Sequence, residues 1–197
     1  MDPRVTELHC IMPMANIGSV LTHGILSYER ATGLEHQSVA MLPVQERRDR
    51  IRVPSGLLLH QYANLYFHAR NPMLFRRLPE AAGLCVLRID ARALQLPSVV
   101  ITDCNAASDY ARYLAPSQWP LVNFDDVFAL DWRHPGNRAR YLQHRSRKCA
   151  EVLVPHRVDP AFLAGAYVID PSAETRLFTT GFRLPIRVDP VLFFRNV

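Results

Sequence analysis

Fifteen prolines are spread from Pro3 to Pro190 along a chain of 197 residues. Each one fixes its own φ, removes a backbone donor and biases the preceding residue away from the helix. Long helices and long central strands are disfavoured, so the chain must be assembled from short elements and many turns. Five short β-branched or aromatic runs read as strands, at residues 82–90, 98–103, 125–132, 150–155 and 165–170. Helices are expected over 14–25, where Ile17, Val20 and Leu21 share a face before Gly24, over 105–115 and over 137–148. Strands and helices interleave without a regular βαβ alternation, which favours a mixed α+β fold over a doubly wound sheet.

No internal repeat, low-complexity tract or Gly/Ser linker divides the sequence, so residues 1–197 are expected to form one domain with a core that needs no staples. With 49% apolar and 21% charged residues the composition is that of an ordinary globular protein. No apolar run approaches the roughly 18 residues of a membrane span. The opening MDPRVTELHC lacks the basic-then-apolar order of a secretory signal. Cys10, Cys85, Cys104 and Cys149 are far apart and form no CxxC pair. Buried thiols are expected from them, not disulfides or zinc ligands, and with them a reducing compartment, the cytoplasm. No metal is implied. A Gly-rich phosphate loop, a GxSxG elbow and an HExxH pair are absent too, so any phosphate must be held by arginines.

The net charge of +5 is modest but clustered in QERRDRIR (45–52) and RHPGNRARYLQHRSRK (133–148). Such clusters suit the phosphates of a nucleic acid or of a nucleotide. The second runs into RKCAEVLVP, where Glu151 heads an otherwise apolar strand directly after basic residues. A carboxylate at that position is suited to accept hydrogen bonds from a ribose or to take a proton from a nucleophile. A strand-edge salt bridge is the plainer alternative. Arg47 and Arg48 precede a Val-Pro-Ser-Gly turn, where paired arginines can fork onto a diphosphate. HQYANLYFHARNPMLFRR (60–77) mixes flat rings, amides and fixed positive charge within eighteen residues.

His9, the ANIGSVLTHGI helix, the arginine loop, HQYANLYFHARNPMLF, ITDCNAAS and KCAEVLVP follow one another in an order and spacing that resemble the DarT proteins. These are the DNA ADP-ribosyltransferase toxins of DarT–DarG toxin–antitoxin systems, and the resemblance runs from His9 to about Tyr167. It implies an ADP-ribosyltransferase-like fold with a split, mostly antiparallel β core and short helices. It makes Glu151 the catalytic acid–base residue, with Arg47 or Arg48 holding NAD, the co-substrate. His9, Asn16, Tyr62, Asn64, Tyr66, Asn71 and Met73 are the implied cofactor-binding set, with rings to stack on nicotinamide and amides for its polar edges.

The implied reaction transfers ADP-ribose from NAD to a base of single-stranded DNA and releases nicotinamide. DarT proteins divide between thymine and guanine, and the NLYFHARNPM form is closer to the guanine-directed branch. Arg138, Arg140, Arg145, Arg147 and Lys148 are expected to carry the DNA backbone to Glu151, with Tyr113 or Trp119 available for stacking. The implied partners are single-stranded DNA and a DarG-like macrodomain antitoxin, with no membrane. Two alternatives are an ADP-ribosyltransferase acting on protein or RNA and a non-catalytic nucleic-acid-binding module indifferent to Glu151.

Overall fold

The computed structural model of the chain describes residues 1–38, 42–54 and 56–195, the stretch 42–44 through its backbone only. Ser55, in the middle of the expected Val-Pro-Ser-Gly turn, lies outside the described residues. In chain order the strands are β1 (Glu7–Pro13), β2 (Ile25–Leu26), β3 (Tyr62–Tyr66), β4 (Leu84–Asp90), β5 (Val100–Thr102), β6 (Tyr113–Leu114), β7 (Glu151–Pro155), β8 (Arg157–Val158), β9 (Leu163–Val168) and β10 (Ile186–Val188). The helices are α1 (Ile17–His23), α2 (Tyr28–Ala31), α3 (Leu42–Arg48), α4 (Pro72–Arg76), α5 (Phe124–Phe128), α6 (Arg138–Arg147) and α7 (Pro171–Thr179). Among the described residues none is long and apolar enough to cross a membrane.

Eight of these strands form one sheet in the order β10-β9-β4-β1-β3-β7-β5-β6, and β2 pairs with β8 in a separate ribbon. Every neighbouring pair in the sheet is antiparallel except β9 with β10. The sheet is uneven in its joints. β1 and β4 match at seven residue pairs and β3 and β7 at five, whereas β1 and β3 meet only at His9 and Tyr66. Two half-sheets are therefore joined at a single seam, the split expected of the architecture.

Burial explains why the run at β7 is so uniformly apolar. Val152 and Val154 enter the main core, while Leu153 enters a smaller one with Val53, Leu59, Tyr62 and Ala106. Both faces of the strand are covered, so alternation with polar residues is lost. On α1, Ile17 and Val20 are buried as their spacing requires. The helix ends at Gly24, where φ is 81° and an added Cβ would lie 2.0 Å from the Val158 carbonyl oxygen. Only glycine permits that close approach to β8.

Two expected elements are replaced. Residues 125–132 are not a strand; α5 begins the segment because Asn123 caps it, its side chain accepting from the Asp126 N–H at 3.0 Å. Asp125 and Asp126 in the first turn complement the helix N-terminus. The Val127 and Ala129 carbonyls then accept from the buried Lys148 ammonium at 2.7 and 2.8 Å, not from a neighbouring strand. Residues 105–115 are not a helix. Asn105 and Ser108 side chains accept from the Ala107 and Tyr110 N–H groups at 2.8 and 3.3 Å, setting tight turns that compete with a helix. Tyr113 and Leu114 then leave as the edge strand β6.

Candidate active site

Glu151 opens β7 in register with Tyr66, the residue that pairs with His9 across the seam. The carboxylate is therefore delivered to the joint between the half-sheets, where it is only 1% exposed. Three elements hold it. The Asn64 amide of β3 donates to Oε2 at 2.5 Å, and the backbone N–H of Ala106 donates to Oε1 at 2.9 Å. Arg48, at the end of α3, reaches Oε2 at 3.2 Å and Oε1 at 3.5 Å. Below it, the Thr102 hydroxyl accepts from the Glu151 N–H at 3.0 Å and donates to the Cys104 carbonyl at 2.6 Å. The acid is thus fixed from both sides with its lone pairs engaged, and Arg48 makes the longest of the contacts.

Glu151, Arg48 and Asn64 line a cavity of about 610 Å³. One group of lining residues comes from the start of α1 and the segments after it: Asn16, the N-cap, then Tyr28, Leu34 and His36 to Ser38. Asn16 ties this group together, donating to the Gln37 carbonyl at 2.8 Å and accepting from the Gln37 N–H at 2.9 Å. Tyr28 packs against His60 with the rings tilted and their centroids 4.3 Å apart, and His60 bonds Gln45 at 2.7 Å. A second group comes from the 105–110 loop and from Leu142, Arg145 and Ser146 of α6, joined by the Asn105 N–H donating to the Ser146 carbonyl at 3.0 Å. Burial, and after it the Glu151 charge, pushes the Tyr66 phenol well above its ordinary pKa, so this ring faces the cavity as a neutral donor. Tyr113 is pushed up to about 12 for the same two reasons and donates to the Ala106 carbonyl at 2.6 Å.

The cavity gathers part of the residue set expected from the sequence. Arg47, Arg48, Asn16, Asn64, Tyr66, Met73, Arg145 and Glu151 line it. Arg47 and Arg48 are separated here: Arg48 is buried against the carboxylate, and Arg47 is exposed on the lining. His9, Tyr62 and Asn71 do not line it. Within β1 the lining starts only at Cys10 and runs to Pro13, while the His9 ring bonds the Phe67 carbonyl and Glu7, each at 3.2 Å. Tyr62 is fully buried in the smaller core beneath Ala106. Asn71 caps α4, accepting from the Met73 and Leu74 N–H groups at 3.0 and 3.1 Å, and so acts on Met73 from behind.

The basic segment is corrected most. Lys148 is fully buried, with its ammonium on the Val127 and Ala129 carbonyls and on His68 Nδ1 at 3.1 Å, so it offers nothing to a phosphate outside. Arg140 grips Asp126 at 2.6 and 2.9 Å, and Arg147 grips it at 2.9 Å. Arg138 is exposed but does not line the cavity. Tyr113 and Trp119 are half-buried, the first against the smaller core and the second against the main core beside Phe124, and neither lines the cavity. Sequence reasoning missed the Ala106 amide, Cys10, Leu142 and Tyr110. ITDCNAAS carried the only local signal for the first of these, a turn-rich end directly after a strand.

A mostly antiparallel sheet split at one residue pair, with an anchored carboxylate at the split, is the ADP-ribosyltransferase-like architecture. The chain belongs to the DarT family: the family model described as "ssDNA thymidine ADP-ribosyltransferase, DarT" matches residues 9–194. It is 30% identical over 208 residues to a Thermosipho africanus DNA ADP-ribosyl transferase–DNA ADP-ribosyl glycohydrolase fusion protein, covering 98% of this chain and 51% of the fusion. The chain thus spans about half the length of that relative. A DNA ADP-ribosyl transferase of Thermus sp. is 35% identical over 164 residues, 77% of this chain and 76% of that protein. Solved structures of Thermus sp. 2.9 DarT share the fold. The complex with ADP-ribosylated ssDNA gives a TM-score of 0.84 at 23% identity, covering 96% of this chain and 97% of that one. The NAD+ complex gives 0.80 at 20% identity, covering 98% and 99%.

Proposed function

We propose that residues 1–197 act as one transferase domain that moves ADP-ribose from NAD to a base of single-stranded DNA. The observation that carries this is Glu151, held by Asn64, Ala106 and Arg48 at the floor of a cavity at the seam. Family membership supports the reaction class, and the DNA and NAD+ complexes of the Thermus proteins support the two substrates.

The donor set fits NAD. A cavity of about 610 Å³ lies within the roughly 300–1,000 Å³ of pockets that enclose small ligands. Arg47 and Arg76 on its walls suit a diphosphate, and Tyr66 and Met73 suit a flat ring. When bound, NAD supplies a glycosidic bond to a cationic leaving group, whose loss puts positive charge on the ribose. Glu151 Oε1 and Oε2 present negative charge to that ribose and accept hydrogen bonds from its hydroxyls. The same carboxylate takes the proton of the attacking base nitrogen. Arg48, with the slackest contacts, is the partner that yields to a ligand, while Asn64 and Ala106 keep the carboxylate aimed.

The acceptor base is thymine or guanine, and the family description names thymidine. A glycohydrolase partner of the DarG macrodomain kind follows by analogy with the Thermosipho fusion. Incubation with NAD and single-stranded oligonucleotides of each base, followed by mass measurement, tests the proposal. ADP-ribose added to one homopolymer is the expected result. Label on protein or RNA alone would favour the other transferase class, and no label with no nicotinamide release would favour a non-catalytic binding module.

A further inference from the structure

The loop from Cys104 to Arg112 is fastened along its base. The Ala106 N–H holds Glu151, the Ala106 carbonyl accepts from Tyr113, and Asn105 is tied to Ser146 of α6. Its neck is closed where Arg112 meets Asp103 at 2.6 Å. Its tip is different. Tyr110 is 89% exposed yet lines the cavity, and among the described residues its ring makes no ring–ring or cation contact. A large ring held in water on the lining of a cavity, on a loop with a fastened base, buries little of its own surface in the fold and keeps its face open to a ligand. Leu142, 47% exposed, and Arg145, one turn further along α6, line the same cavity. An exposed ring, an apolar side chain and a guanidinium together match one nucleotide: base, sugar and phosphate.

We propose that Tyr110 is the platform for the acceptor base, with Arg145 on the adjacent phosphate. This deepens the transferase proposal above and rests on it. Because Ala106 couples the loop to Glu151, a base stacked on Tyr110 is held in a set position relative to the carboxylate. Stacking there decides whether ADP-ribose goes to DNA or to water, the competing acceptor, whose attack on the same carbon yields free ADP-ribose and nicotinamide.

The test compares wild type, Tyr110→Ala and Tyr110→Phe with NAD and a single-stranded oligonucleotide below saturation. DNA-linked and free ADP-ribose are quantified together, and thermal unfolding checks each fold. Tyr110→Ala is expected to lower the ratio of DNA-linked to free product about tenfold or more, through a raised KM for the oligonucleotide. Tyr110→Phe is expected to restore it, because stacking needs the ring and not the hydroxyl. A ratio within about twofold of wild type in Tyr110→Ala, or a parallel fall of both products, would overturn the platform while leaving the transferase proposal standing. Absence of DNA-linked product from the wild type would overturn both.

Discussion

Asp126 and Glu151 are both buried acids that face arginines, and α6 lies between them in the chain. Their pairings differ. Asp126 receives three arginine contacts of 2.6 to 2.9 Å, and it does not line the cavity. Burial opposes its charge, but the Arg140 and Arg147 guanidiniums outweigh that cost and hold the carboxyl at about 2. Glu151 has one arginine, at 3.2 and 3.5 Å, and opens on the cavity. A short, closed ion pair commits its charge to the fold and locks α6 against α5. A slack pair at a cavity floor keeps its charge available to a ligand.

The largest effect is expected at Glu151. Glu151→Gln keeps the side-chain shape and removes the charge and the base, so the initial rate of transfer should fall by roughly 10²–10⁴-fold, the range of acid–base catalysis. Mass-spectrometric initial rates check this, and a rate within tenfold of wild type would remove Glu151 from the chemistry. Asp126→Ala should do the reverse, costing stability more than turnover. It strips Arg140 and Arg147 of their acceptor, at about 1.5–3 kcal/mol for hydrogen bonds to a charged group. Urea unfolding beside Asp131→Ala, a change at an exposed salt bridge, gives the comparison. Equal losses in the two variants would mean that the Asp126 cluster is no strut.

Lys148 sharpens the contrast from the opposite sign of charge. Burial pulls its ammonium down from 10.5 to about 7, so between these values the unfolded chain binds a proton that the folded chain has released. Stability should therefore rise with pH from 7 to 8, as the cost of the buried charge is relieved. Nearer 9 the four buried thiols, with Cys104 pushed up to about 11, Cys10 and Cys149 to about 12 and Cys85 higher still, reverse the slope because the unfolded chain then loses protons first. Urea midpoints at pH 7, 7.5 and 8 should climb in wild type and stay flat in Lys148→Met. A climb of equal size in both would assign the slope to other groups.

Much of the cavity lining was legible because its residues are concentrated in short motifs. Glu151 was marked by a charge heading an apolar strand, and Asn64, Tyr66 and Met73 by rings and amides in one run. The same local logic failed in α6. Five basic residues in one segment suggested one surface for DNA, yet Asp126, a residue outside that segment, draws two of them inward and the carbonyls at the end of α5 capture a third. Asp125 to Trp132 has strand composition, but a capping asparagine and two aspartates at its start win over β propensity.

By itself, the amino-acid order determined the short elements, the α+β class, the apolar β7 with a carboxylate at its head, and the glycine that ends α1. Each follows from local sterics, periodicity or capping, which act within a few residues. The tertiary structure alone decided which arginine meets Glu151, across 103 positions of chain, and that the Ala106 amide completes its hold. It also decided that His9 turns away while Cys10 lines the cavity, and that Tyr110 remains in water. Those outcomes depend on strand register and on competition among distant donors for a few buried acceptors, and neither is written in any single segment.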